Sequence, residues 1–151
     1  MAGTQFEIAG FGFSEVGVAT KFAGFATVRV TGGRWYEHLF FGDKQAYYDW
    51  YFTDAVTVPT QEEADAWWRL FVLEPSYEWL VGGLEGDAIS CFGDSGGPMF
   101  LGDSPETFTV YGVDFAGEAS LENVCTLGSA YSVLHKNKLG AFVTAALAAA
   151  P

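Results

Sequence analysis

The chain is poor in cations, poor in cysteine and without a long apolar run, and each scarcity closes off a class of function. Seven Lys and Arg stand against 19 Asp and Glu, for a formal net charge of -12. Nucleic-acid partners call for clustered Lys and Arg, and these seven form no stripe. The longest apolar stretch, Ala141 to Ala150, is too short to span a bilayer. Neither a nucleic acid nor a membrane is therefore expected as a partner, and the acidity reads as solubility or as a salty or acidic habitat. Two cysteines, Cys91 and Cys125, are too few for a disulfide framework or a structural zinc site. Composition alone leaves them as free thiols. No metal or other cofactor is expected. The N-terminus has no basic region, and Glu7 interrupts any apolar one, so no signal peptide is read there.

Half of the 151 residues are hydrophobic and 17% are aromatic, enough for one ordinary core. A single domain over 1–151 is expected. Thr4 to Phe13 and Ala23 to Val30 alternate apolar and polar residues and end in glycines, as strands do. Trp35 to Phe41 and Tyr47 to Val58 are aromatic, β-prone runs flanking Gly42-Asp43, which predicts a hairpin. The period then changes. Thr60-Gln61-Glu62-Glu63 has the form of a capping box, and Ala64, Trp67, Trp68, Phe71 and Val72 follow at helical spacing. A helix from Gln61 to about Val72 is predicted, ending before Pro75. Phe108 to Val113 and Ala130 to Leu134 read as late strands. Asn137 is placed to cap a closing helix from Lys138 to about Leu147.

The chemistry concentrates in Cys91-Phe92-Gly93-Asp94-Ser95-Gly96-Gly97-Pro98. A serine that attacks a carbonyl needs backbone N–H groups converging on the oxygen that becomes negative. Glycines permit the positive-φ turns that aim such groups. Gly93 to Gly97 also satisfies Gly-x-Ser-x-Gly, but that elbow must lie between a strand and a helix. Here Pro98, Met99-Phe100-Leu101 and a Gly102-Asp103-Ser104-Pro105 turn follow, which excludes it.

The hexapeptide Gly93 to Pro98 resembles the nucleophile loop of the chymotrypsin/trypsin family of serine proteases. The resemblance extends from about Thr4 to Leu147 and covers only the second half of a family member. It implies an all-β fold: one six-stranded antiparallel β-barrel with a short internal helix and a C-terminal helix. It implies a serine endopeptidase with Ser95 as nucleophile, Gly93 and Ser95 as oxyanion donors, and Asp94 as a buried anchor of the loop. The substrate pocket would be formed by Ile89, Ser90, Phe92, Phe115, Ala116, Gly117 and Ser129. Ile89 falls at its base, where an apolar residue implies an apolar substrate side chain rather than Lys or Arg. Phe115-Ala116-Gly117 replaces the family's Ser-Trp-Gly. The resemblance also pairs Cys91 with Cys125, while Phe6 and Leu80 stand where other family cysteines would be. A disulfide implies an oxidising, extracellular setting.

Two parts of the expected machinery are missing. The family's histidine base and orienting aspartate belong to the first barrel, and neither motif occurs here. By topology His38 and His135 lie away from Ser95, and the spacing of Lys136 and Lys138 supports no Ser-Lys pair. The cation that pairs with Asp94 in zymogen-type members also belongs to the first barrel. The chain alone is expected to be inactive, with a zymogen-like loop whose Gly93 amide is turned out. Its expected partners are a polypeptide substrate, the missing N-terminal barrel (from the same gene or a separate chain) and, through the uncovered face, a second copy of itself. A non-catalytic, protease-like binding module is the alternative.

Overall fold

In a computed structural model, residues 1–12, 21–54, 60–75, 77–104, 106–119, 125–134 and 137–149 are described. The strands are β1 (Gln5–Gly10), β2 (Phe22–Val30), β3 (Gly33–Arg34), β4 (Val72–Leu73), β5 (Glu78–Val81), β6 (Pro98–Leu101), β7 (Thr109–Ala119) and β8 (Cys125–Val133). Six of them close into an antiparallel barrel in the order β1-β2-β5-β8-β7-β6, sealed by Glu7↔Phe100 and Ile8↔Met99 between β1 and β6. β3 and β4 form a separate two-stranded sheet. The expected six-stranded barrel is present.

Alternation along the strands explains the closure. Phe6 and Ile8 of β1, Ala26 and Val28 of β2, Trp79 and Val81 of β5, Met99 of β6, and Tyr131 and Val133 of β8 fill one buried cluster. Successive strand residues point to opposite faces, so these positions line the barrel interior. Each large side chain so buried contributes about 1.5–3 kcal/mol relative to exposure. Leu80 and Ala130 point the other way and are buried as well, because a helical layer covers that outer face.

That layer corrects the reading of the aromatic runs. Trp35–Leu39 is helix α1 and Lys44–Asp54 is helix α2, where strands and a hairpin were expected. Gly42-Asp43 is a helix start rather than a hairpin turn: Asp43 Oδ1 accepts from the N–H groups of Gln45 and Ala46, both at 3.0 Å. An N-cap aspartate and a turn aspartate are the same residue type, and only the bonds tell them apart. The aromatic residues are β-prone, but burial overrides that preference. Tyr36, Phe40, Tyr47, Trp50, Phe71 and Trp68 join in one ring cluster, with Tyr47 and Trp68 centroids 5.0 Å apart. His38 consequently sits on α1 and not on a strand.

Helix α3 (Gln61–Leu70) carries the expected capping box: Thr60 Oγ1 accepts from the Glu63 N–H, and Glu63 accepts from the Thr60 N–H. It ends two residues earlier than the spacing predicts, because Val72 and Leu73 pair with β3. Ala64 and Trp68 are its buried face, whereas Trp67 and Val72 are exposed. α4 (Asn137–Ala149) closes the chain. Among the described residues there are thus three internal helices, where one was expected. No helix of the described residues is long and apolar enough to cross a membrane.

Candidate active site

The motif residues 91–98 form two consecutive tight turns. The Asp94 N–H donates to the Cys91 carbonyl at 3.0 Å, and the Gly97 N–H to the Asp94 carbonyl at 2.7 Å. Gly93 (φ 92°) and Gly96 (φ 89°) occupy the third position of each turn, and no other residue of the loop has positive φ. Those are type II turns, which require glycine there. The loop is then clipped to β7. The Gly96 N–H donates to the Asp114 carbonyl at 2.8 Å, and the Asp114 N–H donates to the Gly97 carbonyl at 2.9 Å.

Asp94 anchors this arrangement from beneath. Its Oδ1 accepts from the Gly12 N–H at 2.6 Å and its Oδ2 from the Cys91 N–H at 2.9 Å. The expectation of a partnerless carboxylate is corrected here, since two backbone donors hold it without a cation. The approach is possible because β1 ends in glycines. A Cβ at Gly10 would lie 1.8 Å from Asp94 Oδ1, and one at Gly12 would lie 2.7 Å from it. The same Cβ at Gly12 would lie 2.6 Å from the Phe92 carbonyl oxygen. That carbonyl therefore faces Gly12, and the trans peptide directs the Gly93 N–H to the opposite side.

Ser95 is exposed, as is Gly93. Among the described residues neither the Gly93 N–H nor the Ser95 N–H has an acceptor, and the Ser95 hydroxyl has no partner. The serine opens onto a groove of about 490 Å³ walled by Ala9, Phe11, Pro98, Phe100, Phe108 and Val110. Phe11, Phe108 and Val110 are 61%, 41% and 44% exposed, so the groove has an uncovered apolar rim. Among the described residues its titratable lining groups are Lys21 and Asp94. His38 is elsewhere: its imidazole packs on Gly33, and its carbonyl accepts from Arg29. His135 and Lys136 lie outside the described residues.

Cys91 and Cys125 form a disulfide with Cα atoms 5.4 Å apart. It ties the Ser95 loop to the start of β8. Next to it, the Ser90 hydroxyl and the Ser129 hydroxyl are 2.5 Å apart and buried. Gly117 pairs with Ser129 in the β7–β8 ladder, and a Cβ at Gly117 would lie 3.0 Å from Ser129 Oγ. The structure thus brings Ser90, Gly117 and Ser129 together. Ile89 is half-buried near Gly82. Phe92 and Phe115 are exposed, and Ala116 packs on the helical layer.

Two acidic residues of β7 escaped the sequence reading. Asp114 is 5% exposed, with its Oδ1 buried and without a hydrogen-bond partner among the described residues. Burial raises its pKa from the ordinary 3.8 to about 6. The Ser90 hydroxyl and the Phe115 and Ala116 amides favour the charge, and Asp94 opposes it. Glu118 faces the helical layer instead, accepting from Tyr36 Oη at 2.9 Å and Trp35 Nε1 at 3.3 Å. Its pKa is also raised by burial. The available signal was an aspartate amid the β-prone run Val110 to Ala116. No group of three His, Cys, Asp or Glu able to hold a metal occurs among the described residues. No protein-family model matches the chain, and no curated protein matches it significantly.

Proposed function

We propose that this barrel is the nucleophile-bearing half of a chymotrypsin-like serine endopeptidase. The observation that carries this reading is the Ser95 loop: two glycine-dependent type II turns, two backbone N–H groups without acceptors among the described residues, and an anchored Asp94. In the proposed reaction Ser95 Oγ attacks the scissile carbonyl. The oxyanion takes hydrogen bonds from the Gly93 and Ser95 amides, and the amine leaves with a proton. Water then cleaves the acyl–Ser95 ester. The serine proton needs a base, and no histidine of the described residues lines the groove. That base and its orienting acid are supplied by the partner barrel, which covers the apolar rim formed by Phe11, Phe108 and Val110. The disulfide favours an extracellular setting.

The test is labelling with a fluorophosphonate, in which the Ser95 Oγ–P bond forms, fluoride leaves and the base takes the hydroxyl proton. A product extended by the upstream reading frame is labelled and Ser95→Ala is not, while the 151-residue chain alone is silent. A folded, extended protein that stays unlabelled overturns the catalytic reading. The exposed Ser95, with no base beside it among the described residues, also supports a second reading, a non-catalytic protease-like module that keeps the barrel for recognition. In that case the upstream frame encodes no histidine–aspartate pair.

A further inference from the structure

The Ser95 loop and β7 meet at one residue. The Asp114 carbonyl accepts from the Gly96 N–H at 2.8 Å, and the Asp114 N–H donates to the Gly97 carbonyl at 2.9 Å. Those two bonds are the clip that seats the loop on the barrel. The side chain of the same residue turns inward. Asp114 pairs with Tyr131 and Ala116 with Ala130, so Phe115 between them is the extra residue of a bulge. Directly paired residues point to the same side of a sheet, and Tyr131 belongs to the barrel interior.

In that interior Asp114 is poorly held. Its Oδ1 is buried without a hydrogen-bond partner among the described residues, and no described Lys, Arg or His forms an ion pair with it. The groups that act on it across the barrel are the Ser90 hydroxyl from the segment before the loop, Tyr131 from β8, and Asp94 from the loop itself. Asp94 is the one other charge among them, and it repels. Glu118, the second acid of β7, faces the helical layer. A buried carboxylate short of donors is costly. Lifting residues 94–97 off β7 removes the like charge and admits water, so opening the loop relieves an ionised Asp114. A neutral carboxyl has no charge to hydrate, and its O–H can donate to the Ser90 hydroxyl.

We infer that Asp114 is a proton-controlled latch on the Ser95 loop, closed while its carboxyl is neutral and loosened when it ionises. The clip bonds and the carboxyl belong to one residue, so the charge acts on the loop without a relay. Burial fixes the sign. The closed loop holds this proton up to about pH 6, against an ordinary 3.8, so acidification favours closure. Mildly acidic surroundings set the loop and neutral ones loosen it. Calling this control of a nucleophile rests on the proposed function. The loop's response to pH does not.

Amide hydrogen exchange of the 151-residue chain, followed by NMR from pH 7.5 to 5 and corrected for intrinsic rates, tests the latch. The Gly96 and Asp114 amides should exchange through opening of the loop alone. They should therefore exchange faster than the Val133 amide, which is bonded to Tyr77 in the barrel, and respond little to low urea. Their protection should rise about tenfold between pH 7.5 and 5, with the midpoint at which the Asp114 carboxyl carbon titrates. Asp114→Asn should keep both amides at the acid-side protection at every pH. If that variant does not fold, the shared midpoint in the wild type decides. Three results would overturn the inference: protection flat with pH, a midpoint unlike that of the Asp114 carboxyl, or exchange that matches Val133 at every urea concentration. The readout needs no activated serine, so it and fluorophosphonate labelling of Ser95 can fail separately.

Discussion

The Gly12 N–H donates to Asp94 Oδ1 at 2.6 Å, and a Cβ on Gly10 would stand 1.8 Å from the same oxygen. The loop that presents Ser95 is therefore keyed to the end of β1 through a carboxylate that fits only against glycine. Gly12 and Cys91 together satisfy both carboxylate oxygens, so this chain sets the loop with its own backbone. A charge-assisted bond of this kind is stronger than a neutral one, which explains why the turns form without a cation from another domain.

Gly10→Ala tests that key. The methyl group forces Asp94 away, breaks its bond to Gly12 and leaves the turns unanchored. Overpacking of this sort costs about 1–3 kcal/mol. Urea unfolding should show a loss in that range, and the amide resonances of residues 93–97 should shift or broaden. An unchanged midpoint with unchanged loop resonances would refute the anchoring role.

The barrel was legible because its strands alternate around a single interior, and a period of two survives any change in what covers the outside. The helical layer was not. Trp35 to Phe41 and Tyr47 to Asp54 have β-prone residues, and only the tertiary ring cluster selects helix there; the rest of the second run, residues 55–58, lies outside the described residues. Of the candidate site, the loop of Asp94 and Ser95 was legible because its motif is contiguous, whereas the Cys91–Cys125 pair, 34 residues apart, was legible only through the family resemblance. Gly10 and Gly12 were seen as a strand end, but their contact with Asp94 spans more than 80 residues, which local pattern cannot show. Asp114 was missed for a related reason: its inward direction depends on the irregularity between Asp114 and Ala116.

Asp43→Ala distinguishes the two readings of the aromatic segment. As the N-cap of α2, Asp43 takes hydrogen bonds from Gln45 and Ala46, and its removal should cost about 1 kcal/mol. Thr60→Ala, which removes half of the α3 capping box, should cost a similar amount. Thermal unfolding of both variants provides the measurement. A turn aspartate between strands would leave stability unchanged in the first and not in the second.

The disulfide closes a loop between residues 34 apart in sequence, and chain entropy assigns such a closure about 4 kcal/mol. Replacing Cys91 and Cys125 together by serine avoids a stray thiol. The double variant should unfold at a markedly lower urea concentration, and its Ser90 and Ser129 amides should lose their native shifts, because the bridge holds the loop against the start of β8. A loss below about 1 kcal/mol would show that the barrel alone fixes that end.

Asp114 also imposes a pH dependence on stability. Its folded pKa of about 6 lies above the ordinary 3.8, so the folded protein binds this proton more tightly than the unfolded chain. The penalty is fully present above pH 6 and is lifted as the pH falls toward 4. The full difference corresponds to about 3 kcal/mol. Glu118, raised by burial as well, acts in the same direction. Glu63 and Asp65, whose pKa values are lowered by Thr60 and Lys44, act oppositely and only at lower pH. The wild type should therefore gain stability between pH 7 and pH 5. Asp114→Asn should flatten that gain, because an amide carries no proton to take up. Urea midpoints across the range read both effects, and a variant that keeps the full wild-type slope would show that Asp114 is not the group responsible.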